Sequence, residues 1–159
     1  MTAELAKATE YLHSHIPMTA HMGVEVVAWD GTTVRLSAPL APNLNHRETA
    51  FGGSIAGLGI ISGWTLLHLK LREAGYHRRL VVFRSQTEFT APIEDTFEAV
   101  TRLADPGMWP KLIRGLDRKG IGRATVITEI VCGTEVAATQ EATYVATGPV
   151  GPSADTSAK

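Results

Sequence analysis

The chain has 159 residues, 44% of them hydrophobic and 19% charged, with a net charge of −1; that is enough to bury a core of its own as one globular domain. Basic and acidic residues nearly cancel, which argues against a nucleic-acid partner. The single Cys132 excludes an internal disulfide framework and a Cys-based zinc site, and fits a reducing compartment.

In chain order, residues 3–14 are amphipathic, with Leu5, Ala8, Tyr11 and Leu12 on one face and Glu4, Lys7 and Glu10 elsewhere. This mixed-charge start is no secretory signal. Pro17 is expected to end the helix, because the residue before proline is pushed out of the helical region. Met22–Trp29 and Thr32–Ala38 read as strands joined by Asp30-Gly31, a two-residue hairpin signal. Pro39, Pro42 and Asn43 then break the chain into a loop, Asn45 to Gly53.

From Thr49 to Leu69 there is no Lys, Arg, Asp or Glu. Ile55–Leu71 predicts one helix that is apolar nearly all round, and such a helix must be covered on more than one side. Its length and small-residue spacing also fit a membrane span. Thr49, Ser54, Ser62, Thr65 and His68, together with the strands on either side, favour a buried central helix instead. Gly75 is a natural stop. Leu80–Ala91 is expected as a strand with Phe83, Ser85, Thr87 and Phe89 on one face, followed by a returning strand over Thr96–Leu103. Lys111–Leu116 predicts a short helix, and Gly122–Val131 with Glu135–Thr147 a final hairpin. From Gly148 onward the composition predicts a disordered tail, leaving one domain over residues 1–147. The order of elements is α+β, an antiparallel sheet curved round one helix. A single sheet exposes an edge strand, and pairing that edge with a second copy predicts a homodimer.

This order resembles the hotdog fold. More closely, the chain resembles the thioesterase domain family found alone and at the C-terminus of a bacterial acetyltransferase fusion. The resemblance rests on His15-Ile16-Pro17-Met18, Met22-Gly23-Val24, the run Leu36 to His46, Phe51-Gly52-Gly53-Ser54, Gly63-Trp64, Phe89-Thr90-Ala91-Pro92 and Tyr144-Val145-Ala146. It implies hydrolysis of an acyl thioester carried on coenzyme A or an acyl-carrier protein. Coenzyme A enters as part of the substrate, with no resident cofactor and a cytoplasmic setting. Homodimers are expected, with assembly into tetramers as an alternative, and neither membrane nor nucleic acid as partner.

Thioester hydrolysis needs stabilisation of charge on the carbonyl oxygen and a positioned water. Unpaired amides at a helix N-terminus suit the first task, which points to Gly52 and Gly53, whose bare backbone admits a close approach. The competing reading is a tight loop-to-helix turn. Asn45, seven residues before Gly52, matches an asparagine of related hotdog thioesterases and is a candidate to orient water or carbonyl; equally, it bonds its own loop. Those relatives carry a carboxylate on the central helix where this chain has Ile60, and Glu73 lies too far along. Thr49, Ser85, His46 and Glu48 are the substitutes for a base, against solvated loop residues for His46 and Glu48 and a buried hydroxyl for Ser85. Phe51, Ser54 and Trp64 are candidates to line the substrate, Trp64 also reading as core. Arg118, Lys119 and Arg123 are candidates for the phosphates of coenzyme A. The six histidines lack metal-site spacing, so no metal is expected. Two other functions compete with hydrolysis. One is a dehydratase or isomerase, disfavoured by the missing helical acid; the other is a non-catalytic acyl-thioester binding module, favoured by it.

Overall fold

A computed structural model describes residues 2–153 of the chain. Helix α1 spans Ala3–His15 and is followed at once by a six-residue helix, α2 (Pro17–Met22). Pro17 therefore does two things: it closes α1 and opens α2, because its fixed φ and missing N–H suit a first helical turn. The strands are β1 (Glu25–Trp29), β2 (Thr33–Ala38), β3 (Arg79–Phe89), β4 (Phe97–Leu103), β5 (Ile121–Cys132) and β6 (Glu135–Thr147). A single 3-10 turn, Ala41–Asn43, precedes the long helix α3 (Gly52–Glu73), and α4 (Met108–Lys119) lies between β4 and β5.

All six strands form one antiparallel sheet in the order β1-β2-β4-β5-β6-β3. The sheet curves around α3, giving the expected α+β hotdog architecture. The β1–β2 corner is shifted by one residue from the expected one: Trp29 pairs with Val34 and Asp30 N–H donates to Thr33 O (3.3 Å), so Gly31-Thr32 make the turn. Asp30 Oδ1 accepts from Thr32 N–H (2.9 Å), the Thr32 hydroxyl (2.9 Å) and Thr33 N–H (2.7 Å), so the aspartate side chain braces the corner. These bonds to its charged form lower the Asp30 pKa.

Helix α3 is long and apolar enough to cross a bilayer, yet its Ile55, Leu58, Ile61, Leu66, Leu67 and Leu71 are buried inside the molecule. Leu58, Leu66 and Leu67 are fully buried in one core with Val34, Leu36, Phe97, Val126, Ile130 and Tyr144. The buried hydroxyls of that core are paired, while Oε1 of the buried Gln140 has no partner among the described residues. Ser62 on α3, Thr101 on β4 and Thr128 on β5 form a buried chain of hydroxyls, each link 2.7 Å.

Helix α4 is twelve residues long, twice the predicted segment. Pro110 lies in its first turn, where a missing N–H costs nothing. The tail is also more ordered than its composition predicts as far as it is described. Gly148 N–H donates to Gly120 O (3.0 Å), Gly151 N–H to Leu116 O (3.2 Å) and Ser153 N–H to Gly75 O (3.0 Å). Arg78 ties it further, donating to Pro149 O at 2.8 Å and to Gly151 O. Residues 154–159 of the expected tail lie outside the described residues.

Candidate functional site

The loop leading to α3 is closed on itself before the helix begins. Asn45 N–H donates to Thr49 O at 2.8 Å, and Leu44 pairs with Ala50 in an isolated bridge. The Asn45 side chain completes the closure. Its Nδ2 donates to Thr49 Oγ1 (2.8 Å) and Ala50 O (3.4 Å), while Oδ1 accepts from Arg47 N–H (2.7 Å) and Thr49 N–H (3.2 Å). The Asn45 side chain is thus bonded within its own loop, and the Thr49 hydroxyl is engaged there as well. Glu48, at the tip, adopts φ 63°, and the side chains of His46, Arg47 and Glu48 are exposed. None of these three is bonded to the helix end.

Two long-range bonds aim this loop. Ala50 N–H donates to Ile93 O (2.8 Å) and Phe51 N–H to Asn43 O (2.7 Å). Asn43, read from the sequence only as a chain breaker, is a buried brace whose Nδ2 donates to Met22 O (2.9 Å) and Pro39 O (2.7 Å). The only sequence signal for that role was its place inside the Pro42-Asn43-Leu44-Asn45 run, where a breaker and a brace look alike.

The chain then turns at Phe51 into α3. Ile55 N–H makes the first helical bond, to Phe51 O at 3.0 Å, and no side chain caps the helix. Among the described residues the N–H groups of Gly52, Gly53 and Ser54 have no hydrogen-bond partner. They stand at the positive end of a 22-residue helix. Gly53 is exposed, Gly52 and Ser54 half-buried. Two phenylalanines flank them, Phe51 (55% exposed) and Phe89 at the end of β3 (53% exposed). The glycines differ in what they permit. A Cβ on Gly53 would run into the Phe51 ring, 2.8 Å from Cζ, whereas one on Gly52 would lie 3.7 Å from Phe89 Cε1, an ordinary contact. A side chain at Gly53 would therefore require the Phe51 ring to move, whereas packing leaves Gly52 free.

The other candidates fall into three places. Ser85 is exposed on β3, not a buried hydroxyl, four residues and so about 13 Å along the strand from Phe89. Trp64 is half-buried on α3, its Nε1 donating to Leu80 O at 3.0 Å. It belongs to a stack of rings: Trp64 and His68 lie 4.5 Å apart, Tyr11 and His68 4.7 Å, Tyr11 and His15 3.8 Å. Burial, reinforced by the charges of Arg72, His15 and His77, lowers His68 to about 4. Ile60, where relatives have a carboxylate, offers only its backbone, whose O accepts from the buried Tyr144 hydroxyl at 2.5 Å. Arg118, Lys119 and Arg123, by contrast, are brought together in one groove between α4 and β5. Among the described residues there is no cluster of three His, Cys, Asp or Glu side chains able to hold a metal.

Comparison with solved structures supports this architecture. A crystal structure of a protein of unknown function from Chlorobaculum tepidum TLS superposes with a TM-score of 0.83 at 26% identity, covering 89% of this chain and 93% of that one. A putative thioesterase from Shewanella oneidensis gives a TM-score of 0.81 at 24% identity, with 91% and 97% covered. A thioesterase from Haemophilus influenzae gives 0.73 at 15% identity, with 92% and 93% covered; at that identity it speaks for the fold alone. Residues 5–148 match the family described as putative thioesterase (yiiD_Cterm), nearly the whole chain, and the protein belongs to that family.

Proposed function

We propose that the protein hydrolyses acyl thioesters at the N-terminal end of α3. Family membership supports a thioester hydrolase in general. The observation that carries the mechanism is the set of three unpartnered amides at Gly52, Gly53 and Ser54. Water adds to the thioester carbonyl carbon, the carbonyl π pair moves onto oxygen, and these N–H groups stabilise the oxyanion. Collapse breaks the C–S bond and releases a carboxylic acid and a thiol. Phe51 and Phe89 flank the reacting carbonyl with apolar surface, and Asn45 is a positioning residue that holds the turn. Among the described residues of one protomer no carboxylate or histidine is bonded to the amide face, so in this reading attack depends on hydroxide or on a group from a second copy.

Gly52 allows a direct test. It is the first helical residue, and Phe51 before it is extended (φ −66°, ψ 132°), the conformation proline demands of its predecessor. Gly52→Pro therefore deletes one N–H while keeping the helix start. With an acyl-CoA panel and a thiol reagent, the wild type should release thiol and the variant should lose roughly 10²-fold in kcat at an unchanged melting temperature. A folded variant of undiminished activity would remove the amides from the mechanism.

A non-catalytic acyl-thioester module is the second reading. It is favoured by the full engagement of the Asn45 side chain within its loop. Saturable acyl-CoA binding by the wild type without thiol release would establish it.

A further inference from the structure

Outside the helix mouth, the strongest concentration of chemistry is the groove between α4 and β5. It has a volume of about 520 Å³ and is lined by Lys111, Arg114, Arg118, Lys119, Ile121 and Arg123 together with two glycines. Five of the chain's 15 Lys and Arg residues meet there in a protein whose net charge is −1. Among the described residues no carboxylate lines the groove and none of the five cations makes an ion pair.

The arrangement follows from helix periodicity. Lys111, Arg114 and Arg118 are three and four residues apart, so they share one face of α4 over roughly 10 Å. The opposite face buries Leu112 and Leu116. Gly115 and Gly122 form the floor, where α4 meets β5 without room for a side chain. A Cβ on Gly122 would approach Leu112 O to 2.6 Å, and one on Gly115 would collide with Ile121 O. The far wall is β5, with Arg123 and the exposed Ile121. The groove therefore offers cations on both walls and one apolar surface at its side. That combination fits a phosphorylated nucleotide better than a bare anion, with phosphates on the guanidinium and ammonium groups and a base against Ile121.

The Arg123 guanidinium also lies over the Phe83 ring, 4.9 Å from its centroid. Phe83 and Phe89 are six residues apart on β3, about 20 Å, and Phe89 borders Gly52. An anionic nucleotide in the groove is thus separated from the amides by about the stretch of β3 between Phe83 and Phe89.

We infer that the α4–β5 groove holds the phosphorylated nucleotide end of coenzyme A, so that the substrate is an acyl-CoA and not an acyl-carrier protein. This rests on the thioester reading above, but it is tested separately, through binding of the free thiol product. Calorimetry would compare coenzyme A, dephospho-coenzyme A and pantetheine on the wild type and on Arg114→Gln/Arg118→Gln, with thermal melts to confirm folding. The wild type should bind coenzyme A about tenfold more tightly than dephospho-coenzyme A, and the variant should bring that ratio close to one. The preference should also shrink as salt is raised. Equal binding of the two nucleotides by the wild type overturns the inference without touching hydrolysis, as does a preference that survives in the variant. Loss of holo-carrier-protein binding in the variant, with the nucleotide ratio intact, overturns it in favour of protein docking. Should no thioester be hydrolysed while the nucleotide preference and its loss are observed, the groove stands and the hydrolase reading falls alone.

Discussion

Asn45 makes four side-chain hydrogen bonds inside a six-residue stretch, and that fixes what its removal should do. Asn45→Ala leaves the Arg47 and Thr49 N–H groups and the Thr49 hydroxyl without their partners. The loss should be about 2 kcal/mol, read as a lower urea midpoint at unchanged m-value. Thiol release should fall together with stability, because the loop carries the backbone that turns at Phe51. A variant as stable as the wild type but inactive would instead return Asn45 to the role of water positioner. The sequence could not separate these roles, since an asparagine ahead of a turn is the same letter in both. The bond that aims the loop, from Ala50 N–H to the carbonyl of Ile93, spans more than forty residues and is invisible to local pattern. Gly52 and Gly53 were legible as a pair that frees backbone at a helix mouth. Their different surroundings, one glycine lying against a neighbouring ring and the other not, depend on where Phe51 folds.

At the scale of elements, α3 was readable because its signal is strong: a long charge-free apolar run flanked by strands. Its glycines were less so. Gly59 and Gly63 lie against Gln140 and Tyr144 of β6, where a Cβ would come within 2.8 Å of both side chains, so they serve packing on the sheet. Near Gly57 a Cβ would meet nothing within 4 Å. Helix α2 was missed because six residues give too short a period to detect, and α4 was underestimated because Pro110 reads as a breaker unless its first-turn position is known. The stack between α1 and α3 carries a pH prediction. The His68 pKa falls from 6.5 to about 4 on folding, so between those values the unfolded chain binds a proton that the folded chain refuses. Stability should therefore be unaffected by His68 above pH 6.5, decline as pH falls through that window, and level off below about 4. With allowance for partial exposure the loss is on the order of 1–2 kcal/mol. Urea midpoints measured from pH 7 to 4 should show a steeper decline in the wild type than in His68→Gln. Parallel curves would mean that the folded imidazole takes up its proton as readily as the unfolded one.

For the whole molecule, the order β1-β2-β4-β5-β6-β3 leaves two edges, and they are not equivalent. Strand β1 has five residues and a register break between Val26 and Ala28, both devices that blunt an edge. Strand β3 has eleven residues, and Val81, Val82 and Phe83 are each more than 40% exposed. Apolar side chains beside a free row of backbone donors and acceptors call for a partner, and the partner a two-fold axis supplies is another β3. The same contact would cover a stripe of α3 that its own sheet leaves only half-buried, Gly57, Ile60 and Trp64. It would also bring a second chain alongside the strand edge that leads from Phe83 to Phe89 and the free amides. The expected outcome is a particle of twice 17.1 kDa in light scattering at tens of micromolar protein. Val81→Lys/Phe83→Lys should shift it to one chain and abolish the concentration dependence of the melting temperature. If hydrolysis needs a group from the second copy, thiol release should fall in that variant and recover as protein concentration forces the weakened dimer to re-form. A wild type that scatters as a single chain at those concentrations would leave β3 unpaired and confine the chemistry to one protomer.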